Sequence, residues 1–120
     1  MVTLELPWPP SQNHYWRYGV VAGRARIFLS TKAKDYRTQV LAIVAAADMT
    51  RPPMDGRLKV TIELHAPTNR KYDLDNHAKC ILDALTYANL WNDDSQIDQL
   101  LIVRQPKAGK AIVHTETLDG

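Results

Sequence analysis

Eight residues, Leu58 to His65, alternate without a break: Leu58, Val60, Ile62 and Leu64 are apolar, and Lys59, Thr61, Glu63 and His65 are polar. A period of two marks a strand with one face on a core and the other toward water. Such a strand needs neighbours in a sheet and an apolar layer against it. Val2, Leu4 and Leu6 alternate with Thr3 and Glu5 and predict a second half-buried strand. Pro7-Trp8-Pro9-Pro10-Ser11 stops it, because proline removes ladder donors. Tyr15 to Tyr18 and Arg26 to Leu29 predict a short hairpin with Ala22-Gly23 in its turn. Ile97–Val103 and Ala111–Thr117 read as two more strands, joined through Lys107-Ala108-Gly109-Lys110.

Two segments change period. Ser30 is a good N-cap for a helix over Thr31–Asp48, where Ala33, Tyr36, Val40, Ile43, Val44 and Ala47 recur at helical spacing. Pro52-Pro53 and Asp55-Gly56 mark the loop after it. A second helix, about Leu74–Ala88, carries Leu74, Ala78, Ile81, Leu82 and Leu85 as its buried stripe, with Asn89 as a left-handed stop. The order implies one α+β domain over residues 1–120, a mixed and largely antiparallel sheet with both main helices packed on one face.

No apolar run approaches the ~20 residues of a membrane span, and no leader segment is expected. A lone cysteine, Cys80, rules out an internal disulfide framework and suits a reducing cytoplasm. Charge is unevenly spread. Residues 1–71 hold 11 Lys/Arg and 5 Asp/Glu, a balance of +6, and residues 72–120 hold 4 and 8, a balance of −4. A basic part beside an acidic cluster suits a polyanion grip around a metal-holding centre, and equally an unevenly charged solvated surface.

The acidic cluster is concentrated. Asp73-Leu74-Asp75-Asn76-x-x-Lys79 sets two carboxylates, an amide and a lysine at a helix start, and Asp93-Asp94 follow. Converging aspartates repel one another unless a cation sits among them, and a nearby lysine suggests phosphate chemistry. The plain alternative is helix capping by Asp73 or Asp75 and a turn at Asp93-Asp94. Asp75, Lys79 and Asp83 share one helix face, but Asp75 and Asp83 lie about 12 Å apart along the axis, too far for one ion. Asp83 is therefore expected to pair with Lys79 or support it. A calcium loop starting at Asp73 fails, since Ala78 and Ala84 stand where glycine and glutamate are needed. His14, His65, His77 and His114 show no zinc spacing and are expected on the surface or in strands. Oxygen ligands favour Mg²⁺ or Mn²⁺.

Three blocks carry a resemblance: Leu6-Pro7-Trp8-Pro9-Pro10-Ser11; Asp73-Leu74-Asp75-Asn76-x-x-Lys79-x-x-x-Asp83-Ala84-Leu85; and Trp91-Asn92-Asp93-Asp94 with the strand after it. In order, and over nearly the whole chain, they resemble the RusA family of Holliday junction resolvases, small homodimeric endonucleases of bacteria and their phages. The resemblance implies that Asp73, Asp75 and Asp94 carry the metal, that Lys79 assists catalysis, and that Asp93, Asn76 and Asp83 are secondary candidates. It implies Mg²⁺, with Mn²⁺ as substitute, a homodimer, branched DNA as partner, and work on nucleoid DNA in the cytoplasm. DNA contacts are expected from Arg17, Arg24, Arg26, Lys32, Lys34, Arg37, Arg70 and Lys71. Family members often carry several basic residues directly before the first aspartate; here Tyr72 separates Arg70-Lys71 from Asp73, so a weaker local phosphate grip is expected. The leading expectation is a Mg²⁺-dependent endonuclease that resolves four-way junctions by paired cleavage. Its main competitor is a catalytically inactive structure-selective DNA-binding protein. A nucleotide phosphohydrolase and a plain interaction domain rank below both.

Overall fold

The structure, a computed structural model, describes residues 1–47 and 51–118. Strand β1 spans Val2–Pro7, β2 Trp16–Val21, β3 Arg24–Leu29, β4 Leu58–His65, β5 Ile97–Arg104 and β6 Lys110–Thr117. Helix α1 spans Thr31–Ala47 and α2 spans Asp75–Tyr87. The expected end of α1 at Asp48 lies outside the described residues. Short 3-10 turns cover Gln12–His14 and Asp94–Gln96.

The main sheet has the order β1-β6-β4-β5. β1–β6 and β6–β4 are antiparallel, whereas β4–β5 is parallel. A parallel neighbour requires a crossover, and α2 supplies it between β4 and β5. β5 and β6 are consecutive in sequence, yet β4 lies between them. The alternation in β4 has the expected consequence: Leu58, Val60, Ile62 and Leu64 are fully buried. Leu4, Leu6, Ala111 and Val113 join them from β1 and β6. Tyr36 and Val40 of α1 and Ile81 and Leu85 of α2 complete the same core. Ser30 caps α1 as the sequence predicts, its hydroxyl accepting from the Ala33 amide at 3.1 Å. Among the described residues, no helix is long and apolar enough to cross a membrane.

The proline-rich segment is fixed from two sides. The Tyr36 hydroxyl donates to the Pro7 carbonyl at 2.9 Å, and His77 Nδ1 lies 3.2 Å from the Pro9 carbonyl. His77 corrects the expectation of a surface or strand position, since it is buried within α2. The cause is local: Trp8 packs on its ring, with centroids 4.7 Å apart.

β2 and β3 form a separate two-stranded sheet. Ala22 and Gly23 take φ values of 54° and 77° in its turn, the left-handed pair of a tight hairpin. Register pairs Trp16 with Leu29, Tyr18 with Ile27 and Val20 with Ala25 on one face. The opposite face pairs Arg17 with Phe28, Gly19 with Arg26 and Val21 with Arg24. The hairpin thus has an apolar side and a side carrying three arginines.

Candidate active site

Asp73 and Asp75 are placed by the chain entering α2. Tyr72, immediately before, is wedged edge-on to Trp8 at 5.5 Å and to His77 at 5.7 Å between centroids. Arg104 of β5 stacks over the ring at 4.2 Å and donates to the Tyr72 carbonyl at 3.1 Å. These contacts fix the segment that presents Asp73. The N-cap position of α2 is Leu74, in helical conformation, with no side-chain cap bond. Helix capping therefore does not occupy the Asp73 carboxylate. Asp73 and Asp75 are both exposed, while Asn76 is half-buried.

Asp94 is placed by the loop after α2. Asn89 adopts the left-handed conformation (φ 59°) expected of a helix stop. The Leu90 amide then bonds back to the Leu85 carbonyl at 3.1 Å, and buried Trp91 donates to the Thr86 hydroxyl at 2.7 Å. Asp93 caps the following 3-10 turn, accepting from the Ser95 amide. The bonds from Ser95 hold its carboxyl below the usual range. Gln96 closes the capping box, its side-chain oxygen accepting from the amides of Asn92 and Asp93, each at 2.9 Å. Its amide nitrogen donates to the carbonyls of Met54 at 3.1 Å and Gly56 at 3.0 Å. The loop is thereby tied to the segment that leads into β4.

Asp94 is brought alongside α2 as a result. Lys79 Nζ lies 3.3 Å from Asp83 and 3.9 Å from Asp94. Asp83 in turn faces the buried Tyr15 hydroxyl, whose pKa is raised, first by burial and then by a hydrogen bond to Asp83. Tyr15 also accepts from Arg37 at 3.5 Å. A polar chain therefore runs from α1 to the acidic loop through Arg37, Tyr15, Asp83, Lys79 and Asp94. Arg37, expected on the DNA-facing surface, is half-buried in this chain and stacks over Tyr87 at 4.9 Å. Arg17, Arg24, Arg26, Lys32, Lys34, Arg70 and Lys71 are exposed. Cys80 is buried, and burial pushes its thiol pKa up to about 12, which leaves it inert.

Among the described residues, no three carboxylate, imidazole or thiol groups form a ready-made metal cage. The donor chemistry still fits a hard divalent cation, because the carboxylates on this face offer only oxygen. Asp94 turns its carboxylate to the Lys79 ammonium. Asn76 lines a cavity of about 500 Å³ with Trp8, Asn13, His14, Arg70 and Lys71. The proline-rich segment forms one wall of it, which the sequence does not reveal because that contact joins residues far apart in the chain.

The sequence model described as Endodeoxyribonuclease RusA matches residues 7–115. The crossover junction endodeoxyribonucleases RusA of Shigella sonnei (strain Ss046) and Escherichia coli (strain K12) are each 38% identical over 104 residues, covering 87% of this chain and 82% of theirs. The protein of the same name from Enterobacteria phage 82 is 38% identical over 103 residues, covering 86% and 82%. The match takes in both acidic blocks, the lysine between them and the aromatic cluster that positions the first: the chain belongs to the RusA family of endodeoxyribonucleases.

Proposed function

We propose that this chain is a metal-dependent endodeoxyribonuclease that resolves four-way DNA junctions by paired, symmetric phosphodiester cleavage in recombination and repair. The observation that carries the reading is the return of Asp94 to Lys79, on the helix that opens with Asp75. In this reading Asp73, Asp75 and Asp94 hold a divalent cation, Mg²⁺ with Mn²⁺ as substitute. When bound, the ion supplies Lewis acidity toward a phosphate oxygen and lowers the pKa of a water it holds. Lys79 neutralises the phosphate, orients the water or protonates the leaving oxygen, all roles open to an ammonium at this position. Asp83, itself facing Tyr15, holds Lys79 in place. Asp93 serves the loop as a cap.

Symmetric cutting calls for two identical sites, and a twofold homodimer provides them. The apolar side of the hairpin, with Tyr18 80% and Ile27 61% exposed, suits that contact. The substrate places the enzyme on bacterial or phage DNA in the cytoplasm.

Incubation with a synthetic four-way junction and Mg²⁺ is expected to give nicks at symmetric positions. Asp75→Asn is expected to lower cleavage by more than the roughly 10–100-fold that removal of a metal's outer-shell partner costs, with junction binding retained. A variant that cuts like the parent sinks the assigned role. Binding without cutting in both Mg²⁺ and Mn²⁺ would instead favour a structure-selective DNA-binding protein.

A further inference from the structure

Beside Tyr72 and Arg104 lies a second cavity of about 170 Å³. Three cations line it: Arg70 from the loop before α2, Arg104 from the end of β5, and Lys107 from the β5–β6 connection. Thr68, Asn69 and Gln105 add neutral polar groups, and no carboxylate of the described residues lines it. None of the three cations takes part in an ion pair among the described residues. The neighbouring carboxylate, Glu63, already accepts from Gln105 and bonds His114.

The chain's own contacts hold the walls in place. The Arg70 amide donates to the Thr68 hydroxyl at 3.3 Å, which shapes the loop. Arg104 is stacked on Tyr72 and bonded to its carbonyl. The Tyr72 ring forms a closed wall of the cavity, its hydroxyl buried out of reach of solvent.

Three like charges around one small space repel, and an anion with several acceptor oxygens relieves that repulsion. The volume falls below the ~300–1,000 Å³ usual for whole small molecules, so it suits a single group. Tyr72 is joined directly to Asp73, with about 3.8 Å between successive Cα atoms. The wall of the cavity is thus continuous in the chain with the acidic segment.

We propose that this cavity is a phosphate subsite, holding a backbone phosphate that flanks the one at the acidic centre, with Arg104 and Lys107 as cations contributed by the acidic half of the chain. The proposal rests on the reading of the chain as a DNA endonuclease. A free phosphate ion offers the same chemistry, so the experiment has an arm for each source.

Junction affinity of the full chain is measured in EDTA, by fluorescence anisotropy, over a range of salt concentrations. The variants are Arg104→Gln, Arg104→Lys, Lys107→Gln and the Arg104→Gln/Lys107→Gln pair. The double variant is expected to bind about tenfold more weakly, with the salt slope reduced by about 0.9, the value for one phosphate no longer neutralised. Arg104→Lys keeps the charge and is expected to retain the wild-type slope, which a purely structural stack on Tyr72 would not require. Lys107→Gln changes an exposed side chain that has no ion-pair partner among the described residues, so it gives a result even if an Arg104 variant folds poorly.

Titration of the wild type with inorganic phosphate, followed by ³¹P NMR, covers the other source. Weak phosphate binding together with an altered junction slope supports the subsite. Tight phosphate binding with an unaltered junction slope overturns the DNA assignment, and weak or absent phosphate binding with unchanged junction affinity and slope in every variant overturns the subsite altogether. If the wild type cuts junctions while the variants match it, only this inference fails. If the folded wild type binds no junction, the endonuclease reading fails and the subsite with it.

Discussion

Lys79 reaches Asp83 at 3.3 Å and Asp94 at 3.9 Å while its own side chain is 51% exposed. Exposed ion pairs contribute only about 0–1 kcal/mol each, so their effect here is positional. Two carboxylates from different elements fix one ammonium above the helix face that begins with Asp75. The same helix also buries His77, near its start. Titration of that imidazole has consequences for stability. Burial holds its pKa below the ordinary 6.5, and hydrogen bonds to the Pro9 and Pro10 carbonyls only partly oppose this. The unfolded chain therefore binds a proton at this position before the folded chain does. Stability from His77 is complete above pH 6.5 and declines as pH falls below that value toward the folded pKa. The thermal midpoint is expected to drop between about pH 7.5 and pH 5.5, and to drop less in His77→Asn, whose amide can still donate to Pro9. Equal drops in the two proteins would assign the acid sensitivity elsewhere.

At the scale of elements, the loop between α2 and β5 owes its shape to one side chain. Gln96 uses both lone pairs and both amide hydrogens, toward Asn92, Asp93, Met54 and Gly56. Gln96→Ala is expected to cost about 2 kcal/mol, at roughly 0.5–1.5 kcal/mol per net hydrogen bond with partial replacement by water. It is also expected to weaken Mn²⁺ binding by about 10–100-fold, because Asp94 loses its fixed approach to α2. Calorimetry with Mn²⁺ and a thermal melt measure the two effects separately, and a melt shift with unchanged Mn²⁺ affinity would limit Gln96 to a structural role. This loop also marks the limit of what local sequence can reveal. Alternation in Leu58–His65, the Ser30 cap, the Ala22-Gly23 turn and the Asn89 stop are local signals, and each appears in the structure. The return of Asp94 is not local, since it depends on Gln96 reaching the Met54 carbonyl on the segment that leads into β4. The insertion of β4 between β5 and β6 is hidden for the same reason, as is the meeting of Trp8 with Tyr72. By residue type Arg37 reads as a surface cation, but its neighbours Tyr15 and Tyr87 come from other parts of the chain and draw it inward.

At the scale of the molecule, the hairpin separates two kinds of side chain by its register. Tyr18, Val20 and Ile27 share the side that lacks charge, while Arg17, Arg24 and Arg26 share the other. An exposed apolar strand pair is a poor surface for water and a good one for a second copy of the same chain. In the proposed dimer the arginine side stays uncovered and open to phosphates. Ile27→Glu places a charge in the centre of the apolar side, at a residue 61% exposed, so the fold of the subunit should survive. Light scattering after size exclusion is expected to show a dimer for the wild type and a monomer for this variant. The monomer is expected to lose coordinated cutting of the two strands, so that single nicks accumulate in a supercoiled cruciform plasmid where the wild type linearises it. Arg24→Gln with Arg26→Gln is expected to do the reverse, keeping the dimer while weakening junction binding and its salt dependence. A dimer that persists in Ile27→Glu would move the subunit contact to another surface, with the exposed edges of β1 and β5 next in line.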